Sequence, residues 1–294
     1  GMKPVRFEYF APQSIDEALD LLSQHGSDAK VFAGGQSLMP LMNMRLSRPA
    51  VIVDINRLQG LDKVETEPGG AITCGALVRH RTLEQATDVG GPAPVLAYAA
   101  RHIGHSQIRN RGTVGGSLVH ADPAAELPAL AIALEAQVVL RSAAGERLLE
   151  ATEFFITDLT TAIEPDELLT DMRVPGLTGD WGWGFHEVCR RDGDFALAGA
   201  VSLVRTGPSG VCDDARVTLF GVGGTPTRIT AVETALVGTK LDDRTLAGAA
   251  RLVEESLDPA SDIHASMEYR KEVGAVVARR SLEDARTRLA VGGI

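Results

Sequence analysis

Two short glycine loops constrain the fold of this chain more than any other feature. One loop, Ala33–Ser37 (AGGQS), follows the apolar run 30–32, which predicts a strand, and the other is Thr113–Ser117 (TVGGS). Glycine allows positive φ and lets a bulky anion approach backbone amides. Those amides, with the hydroxyls of the loop serines and threonine, can replace the hydrogen bonds that a phosphate loses with water. The pair therefore predicts a cleft that binds a diphosphate.

A glycine loop after a strand is most often only a turn, so the pairing of the two loops favours the binding interpretation. Neither loop matches a common nucleotide fingerprint. The sequence has no GK[ST] of a P-loop, and no GxGxxG opens a helix after a first strand. The expected nucleotide site is therefore of another type.

Composition excludes several classes of protein. The chain has 294 residues, 44% of them hydrophobic, and a formal net charge of −10. No secretion signal or long apolar run is visible, which predicts a soluble cytoplasmic protein without membrane insertion. A nucleic-acid surface would need clustered Lys and Arg, so none is expected.

The cysteines and histidines predict no metal or cluster in this chain. Cys74, Cys189 and Cys212 are widely spaced and form no C-x-x-C, so neither a disulfide framework nor an iron–sulfur cluster follows from them. The two arginines after Cys189 could lower the pKa of its thiol, but an inert half-buried thiol is favoured. His102 and His105 form H-x-x-H without a third ligand, which favours a structural role.

Patterns of strands and helices divide the chain into three units. A capping box at Ser14 opens a helix in the first lobe (1–60), and 49–55 is typical of a buried strand. The second lobe (61–176) has a further capping box at Thr82, a helix from Pro94 to about Ile103 and a closing strand over 168–174. Each lobe contributes one glycine loop to the cleft.

The third unit (177–294) begins in a glycine-rich stretch with both tryptophans, which predicts a linker. Three long strands over 183–190, 196–205 and 211–222 predict an antiparallel meander. Three helices follow, the first opened by a capping box at Thr230 and the others beginning after Asp242 and Ser266, and their apolar spacing predicts that they cover one face of the sheet.

Several motifs together resemble a known family. AGGQSL at 33–38, TVGGSLVHADPAAELPA at 113–129, DELL at 166–169, RRDGDFA at 190–196 and SMEYR at 266–270 occur in family order. They resemble the FAD-binding medium subunit of molybdenum hydroxylases, the carbon monoxide dehydrogenase and xanthine dehydrogenase family. The resemblance implies an α+β fold. A two-lobed FAD-binding domain of the PCMH or vanillyl-alcohol-oxidase-like type precedes a C-terminal domain of antiparallel sheet with helices on one face.

The resemblance also implies a set of cofactor-binding residues. The pyrophosphate loops supply Ala33, Gly34, Gly35, Gln36, Ser37 and Leu38, and then Thr113, Val114, Gly115, Gly116 and Ser117. Glu126 corresponds to an acidic residue, often Asp, that accepts hydrogen bonds from FAD hydroxyls. Asp122 joins this set, although its position before Pro123 also predicts a helix cap.

Ile103, Leu169 and His186 complete the implied set. Ile103 and Leu169 would pack beside the flavin, or serve as plain core residues. His186 stands where xanthine-oxidising relatives have a lysine near the flavin, so a titratable imidazole replaces a permanent cation. The 190–196 loop would lie near the isoalloxazine and influence which oxidant approaches.

The implied function is electron transfer through FAD. Binding is expected to be non-covalent, because neither loop contains His or Cys. No catalytic residue is assigned in this chain. The resemblance implies a large molybdopterin-containing subunit and a small subunit with [2Fe–2S] clusters as partners, in a dimer of heterotrimers. Two alternatives stay open: a stand-alone FAD-dependent oxidoreductase of this fold, and a non-enzymatic nucleotide-binding regulator.

Overall fold

The computed structural model describes residues 3–87 and 90–292, whose strands form three main sheets and one two-stranded ribbon. The first sheet is parallel, with β3 between β1 and β2. Its elements are β1 (Glu8–Phe10), α1 (Ile15–His25), a 3₁₀ turn (Gly26–Asp28), β2 (Ala29–Phe32), α2 (Leu38–Asn43) and β3 (Val51–Asp54). The Ser14 hydroxyl caps α1 by accepting from the Glu17 amide, as its sequence predicts. One face of α1 packs on β3 through Ala18, Leu19 and Leu22.

The second sheet is antiparallel and has the strand order β4-β5-β10-β6-β7. Its strands are β4 (Val64–Thr66), β5 (Ile72–Gly75), β6 (Gln137–Ser142), β7 (Gly145–Glu150) and β10 (Leu168–Val174). The ribbon comprises β8 (Phe155–Thr157) and β9 (Thr160–Thr161). The helices of this lobe are α3 (His80–Gln85), α4 (Ala93–Ala100), α5 (Ser106–Arg109), α6 (Val114–His120), α7 (Glu126–Ala133) and α8 (Ala151–Phe154).

The third sheet is an antiparallel meander in the order β11-β12-β13-β14. Its elements are β11 (Trp181–Cys189), β12 (Ala196–Thr206), β13 (Cys212–Phe220), β14 (Thr227–Arg228), α9 (Thr230–Leu236), α10 (Asp243–Ser256) and α11 (Met267–Ala290). Helix α11 lies directly on β11: a Cβ added at Gly184 would come within 1.8 Å of the Ser281 carbonyl oxygen. The predicted placement of helices on one face of this sheet is confirmed.

The opposite face of the third sheet joins the core of the second lobe. Trp183, Phe185 and Leu203 belong to the same buried cluster as α4 and α7. Helix α7 is buried at every position and packs against β12 and β13, as expected for a helix that is apolar all round. The two units therefore share one core, which fixes β11 against the second lobe.

Four local predictions differ from the structure. The stretch predicted as a linker, 176–184, enters strand β11 at residue 181, with Trp181 only 2% exposed, because both tryptophans are core residues. The third sheet has a fourth strand, β14, which is too short to show a period of its own. Helix α3 begins at His80, ahead of the capping box predicted at Thr82. The Thr230 capping box does not form, because Glu233 instead accepts from Arg228 and the Val217 amide.

Candidate cofactor site

The first glycine loop leaves β2 and presents free backbone donors. Within the described residues, the N–H groups of Gly34, Gly35, Gln36 and Ser37 donate to no acceptor of the protein. Gly35 has a φ of 72°, a conformation that favours glycine. Consecutive free amides in such a turn form a concave donor surface for an anion. A phosphate oxygen would satisfy groups that otherwise have only water.

The second glycine segment differs from its prediction as an amide loop. Thr113–Ser117 opens helix α6, and the Thr113 side chain caps it by accepting from the Gly116 amide at 3.1 Å. The Val114 and Gly115 amides donate at 2.9 Å to the carbonyl oxygens of residues 78 and 76. The Ser117 amide donates to the Thr113 carbonyl. The amides of Val114 to Ser117 are therefore engaged within the protein, which leaves mainly the hydroxyls of this segment for an anion.

Gly34 brings the two segments into contact. A Cβ added there would lie 2.2 Å from the carbonyl oxygen of Arg111, two residues before Thr113. Gly115 also has a close neighbour, since its added Cβ would lie 2.7 Å from the Ala76 Cβ. These glycines allow backbones to approach closely, and the two predicted loops meet at one edge of the lobe interface.

Two polar residues that the sequence did not single out join the loops. Asn56, just beyond β3, donates to the Ala33 carbonyl at 2.8 Å and accepts from the Arg79 guanidinium at 2.6 Å. Arg79 also donates to the Arg111 carbonyl. A polar residue directly after a buried strand is a usable signal for Asn56, whereas no motif marks Arg79.

Glu126 lies in a buried pair of carboxyl groups. It is the first residue of α7 and is 7% exposed. Burial and the neighbouring Glu187 carboxyl raise the pKa of Glu126 well above its ordinary value. Burial also raises the pKa of Glu187, on β11, to about 7. Two neighbouring carboxyl groups cannot both ionise cheaply, so their burial and proximity favour the form in which the pair keeps a proton.

The residues around this acid pair correct two expectations. Asp122 does not cap α7, whose cap position is Ala125; its carboxylate instead accepts from the Ala124 amide at 2.8 Å. The reason is that the chain makes one more turn after Pro123 before the helix begins. Burial and the nearby carboxyl groups raise the pKa of the Cys189 thiol to about 12, which keeps it protonated. The alternative of an activated thiol is therefore wrong.

His186 points its Nε2 atom at the Asp284 carboxylate on α11, 2.8 Å away. Ile103 and Leu169 are buried in the same apolar cluster of the second lobe, at 9% and 3% exposure. These positions are compatible with either a flavin contact or a core role. The 190–196 loop lies against the second lobe, since an added Cβ at Gly193 would come within 2.3 Å of the His105 ring.

Other potential sites are not seen in the part of the chain that the structure describes. No three His, Cys, Asp or Glu side chains among those residues are arranged to hold a metal ion. The three cysteines lie on β5, β11 and β13 and are unbridged. Among the helices of residues 3–87 and 90–292, none is long and apolar enough to span a bilayer.

Comparisons with known proteins match this architecture. The family model for the FAD binding domain in molybdopterin dehydrogenase matches residues 5–177, and that for the CO dehydrogenase flavoprotein C-terminal domain matches residues 183–285. The chain is 42% identical to the 6-hydroxypseudooxynicotine dehydrogenase complex subunit alpha of Paenarthrobacter nicotinovorans, covering 97% of this chain and 96% of that protein. It is 39% identical to the nicotine 6-hydroxylase medium subunit of the same organism, covering 98% and 100%.

A carbon monoxide dehydrogenase structure from Hydrogenophaga pseudoflava superposes with a TM-score of 0.93 at 36% identity, covering 98% of this chain and 99% of that one. The predicted fold class and the prediction of FAD as cofactor are thereby confirmed. The chain belongs to the FAD-binding medium subunits of the molybdenum hydroxylases, the family of carbon monoxide and xanthine dehydrogenases.

Proposed function

We propose that this chain relays electrons from [2Fe–2S] clusters of a small partner subunit through FAD to an external acceptor. A large molybdenum-containing subunit oxidises the substrate, and the three chains form a dimer of heterotrimers. The observation that carries the proposal is the pairing of an FAD-binding fold with three isolated cysteines, which cannot build a cluster. A chain that holds the flavin but no cluster needs an electron donor docked beside it.

The residues of this chain fit a non-covalently bound FAD. The four free amides of Gly34–Ser37 offer donors to a phosphate, and Gly34 lets this loop approach the Arg111 carbonyl without the overlap that a Cβ would cause. The hydroxyls of Thr113 and Ser117 would complete the pyrophosphate contacts. Glu126 would hold a sugar or ribityl hydroxyl, and Ile103, Leu169 and His186 would border the ring. Bound FAD supplies one-electron acceptance and one- or two-electron delivery.

The stand-alone oxidoreductase is the main alternative. Such an enzyme needs its own substrate-facing acid and base, and the most perturbed acid pair here, Glu126 with Glu187, is largely buried. That burial favours a role beside the cofactor over a role in an open substrate pocket. A nucleotide-binding regulator would also use the free amides of the first loop, so a test of FAD binding separates it from the relay.

The isolated chain is expected to bind FAD, and dithionite should bleach the visible absorption band of the bound flavin, at about 450 nm, since the flavin is reducible without partners. The same band should persist when a pyridine alkaloid, a purine, an aldehyde or carbon monoxide is added anaerobically. Anaerobic absorbance titration checks this. Rapid bleaching by any of these substrates would support the stand-alone enzyme, and failure to bind FAD would support the regulator.

A further inference from the structure

We infer that Arg79 and Asn56 are positioning residues that fix the distance between the two pyrophosphate segments of the FAD site. This inference rests on the proposed binding role of Ala33–Ser37 and Thr113–Ser117. Arg79 and Asn56 would act on the cofactor through the backbone of those segments, in that they set where the free amides stand relative to the Thr113 and Ser117 hydroxyls.

Asn56 fixes the first segment. Its Nδ2 group donates to the Ala33 carbonyl at 2.8 Å and to the Asp54 carboxylate at 2.7 Å, while its own backbone amide donates to the same carboxylate at 2.9 Å. These bonds determine which way the side-chain amide faces. Its oxygen is consequently aimed across the lobe boundary, where it accepts from Arg79 at 2.6 Å.

Arg79 fixes the second segment from the other lobe. Its backbone forms an antiparallel bridge with Thr113, and the amide of the next residue, His80, donates to the Gly112 carbonyl at 2.9 Å. One arm of the guanidinium reaches Asn56, and the other donates to the Arg111 carbonyl. That carbonyl oxygen is the atom that Gly34 approaches. The planar guanidinium group of Arg79 therefore connects both segments at their point of contact.

Arg79 and Asn56 with their bonds to the two segments are called the clamp below, and the charge of this clamp also suits an anionic ligand. Burial, followed by the proximity of Arg111, lowers the pKa of Arg79, and the Asp54 carboxylate opposes this. Arg79 and Arg111 thus place two positive charges beside the one carboxylate of Asp54. Lysine would preserve that charge but has no fork that can hold two acceptors at once. Geometry and charge can therefore be separated by substitution.

The test compares FAD affinity of the full-length wild type with Arg79→Lys, Asn56→Ala and the double variant, using quenching of FAD fluorescence. Each single variant is expected to weaken FAD binding about tenfold or more, equivalent to about 1.4 kcal/mol. The double variant should bind FAD no more weakly than the weaker-binding single variant, because both substitutions break the same connection between the two segments. Arg244→Lys, an exposed change on α10, is the matched control and should bind as the wild type does.

Two further measurements separate positioning from mere stability. FMN, which carries one phosphate, should lose less affinity than FAD in the variants, because only a diphosphate needs both segments. Melting of the flavin-free variants gives the cost to the fold. Variants that melt earlier yet bind FAD as tightly as wild type would overturn the clamp. So would losses of binding free energy in the two single variants that simply add up in the double variant. If the wild type bound no FAD at all, the underlying site assignment would fail instead. Asn56→Ala keeps the Arg79–Arg111 contact and serves if Arg79→Lys does not fold.

Discussion

Gly34→Ala is expected to weaken FAD binding about 10- to 100-fold and to destabilise the flavin-free chain. The added Cβ would lie 2.2 Å from the Arg111 carbonyl oxygen and 2.9 Å from its carbon. Both neighbours are backbone atoms, so the loop must move away from the backbone of residues 111–112 to relieve the overlap. Overpacking of this kind typically costs about 1–3 kcal/mol, and each 1.4 kcal/mol lost from binding corresponds to about tenfold in affinity. Fluorescence titration with FAD and thermal melting measure the two effects.

Gly248→Ala provides the matched control. Gly248 lies inside helix α10, where an added Cβ would meet only the Arg251 side chain, at 4.0 Å. Alanine in a helix interior is favoured over glycine by about 1 kcal/mol, so this variant should melt slightly higher and bind FAD normally. A Gly34→Ala chain with wild-type affinity would show that the contact between the two segments does not shape the site.

The second large effect is expected in the pH dependence of stability. Burial raises the pKa of Glu187 from 4.5 to about 7 and raises that of Glu126 well above 4.5. The folded state then binds more protons than the unfolded state in this range, so the stabilisation is complete below about pH 4.5 and is lost as pH rises through 7. A shift of this size for one proton of the pair corresponds to a loss on the order of 3 kcal/mol, at 1.36 kcal/mol per pH unit.

His80 works in the opposite direction, since burial lowers its pKa to about 4 and stability from it grows as pH rises towards 6.5. The informative quantity is therefore the difference in unfolding free energy between wild type and the Glu126→Gln/Glu187→Gln variant, measured by urea unfolding without FAD from pH 5 to 8.5. As pH rises, the unfolding free energy of the wild type should fall relative to that of the variant. Glu254→Gln, exposed on α10, should track wild type. Parallel curves for the double variant would mean that the pair does not hold its proton.

The sequence predicted the elements whose signals are local. The Ser14, Asp242 and Ser266 caps open α1, α10 and α11 as expected, because each side chain bonds an amide three residues ahead. The glycines of Thr113–Ser117 predicted a loop, yet they open helix α6. Gly115 is needed there for packing against Ala76, and tertiary contacts override the low helix propensity of glycine.

The parts of the site that sequence reasoning missed depend on contacts between distant segments. Glu187 becomes a perturbed acid only because β11 is packed against the start of α7, 61 residues earlier in the chain at Glu126. Arg79 and Asn56 are 23 residues apart and belong to different lobes. No periodicity or spacing rule connects such residues. The first loop could be found because its donors are consecutive in the sequence. The contacts of Arg79 and Asn56 can be recognised only in the folded structure.

The central claim, that electrons reach this flavin from a partner's cluster, is tested most directly by rapid mixing of the reconstituted complex with its substrate under anaerobic conditions. With all three subunits present, absorbance should show reduction of the iron–sulfur clusters followed by bleaching of the flavin. When the small cluster-bearing subunit is left out, the flavin should stay oxidised, although dithionite still reduces it. Bleaching at the full rate without that subunit would contradict the relay and assign the oxidation of substrate to this chain.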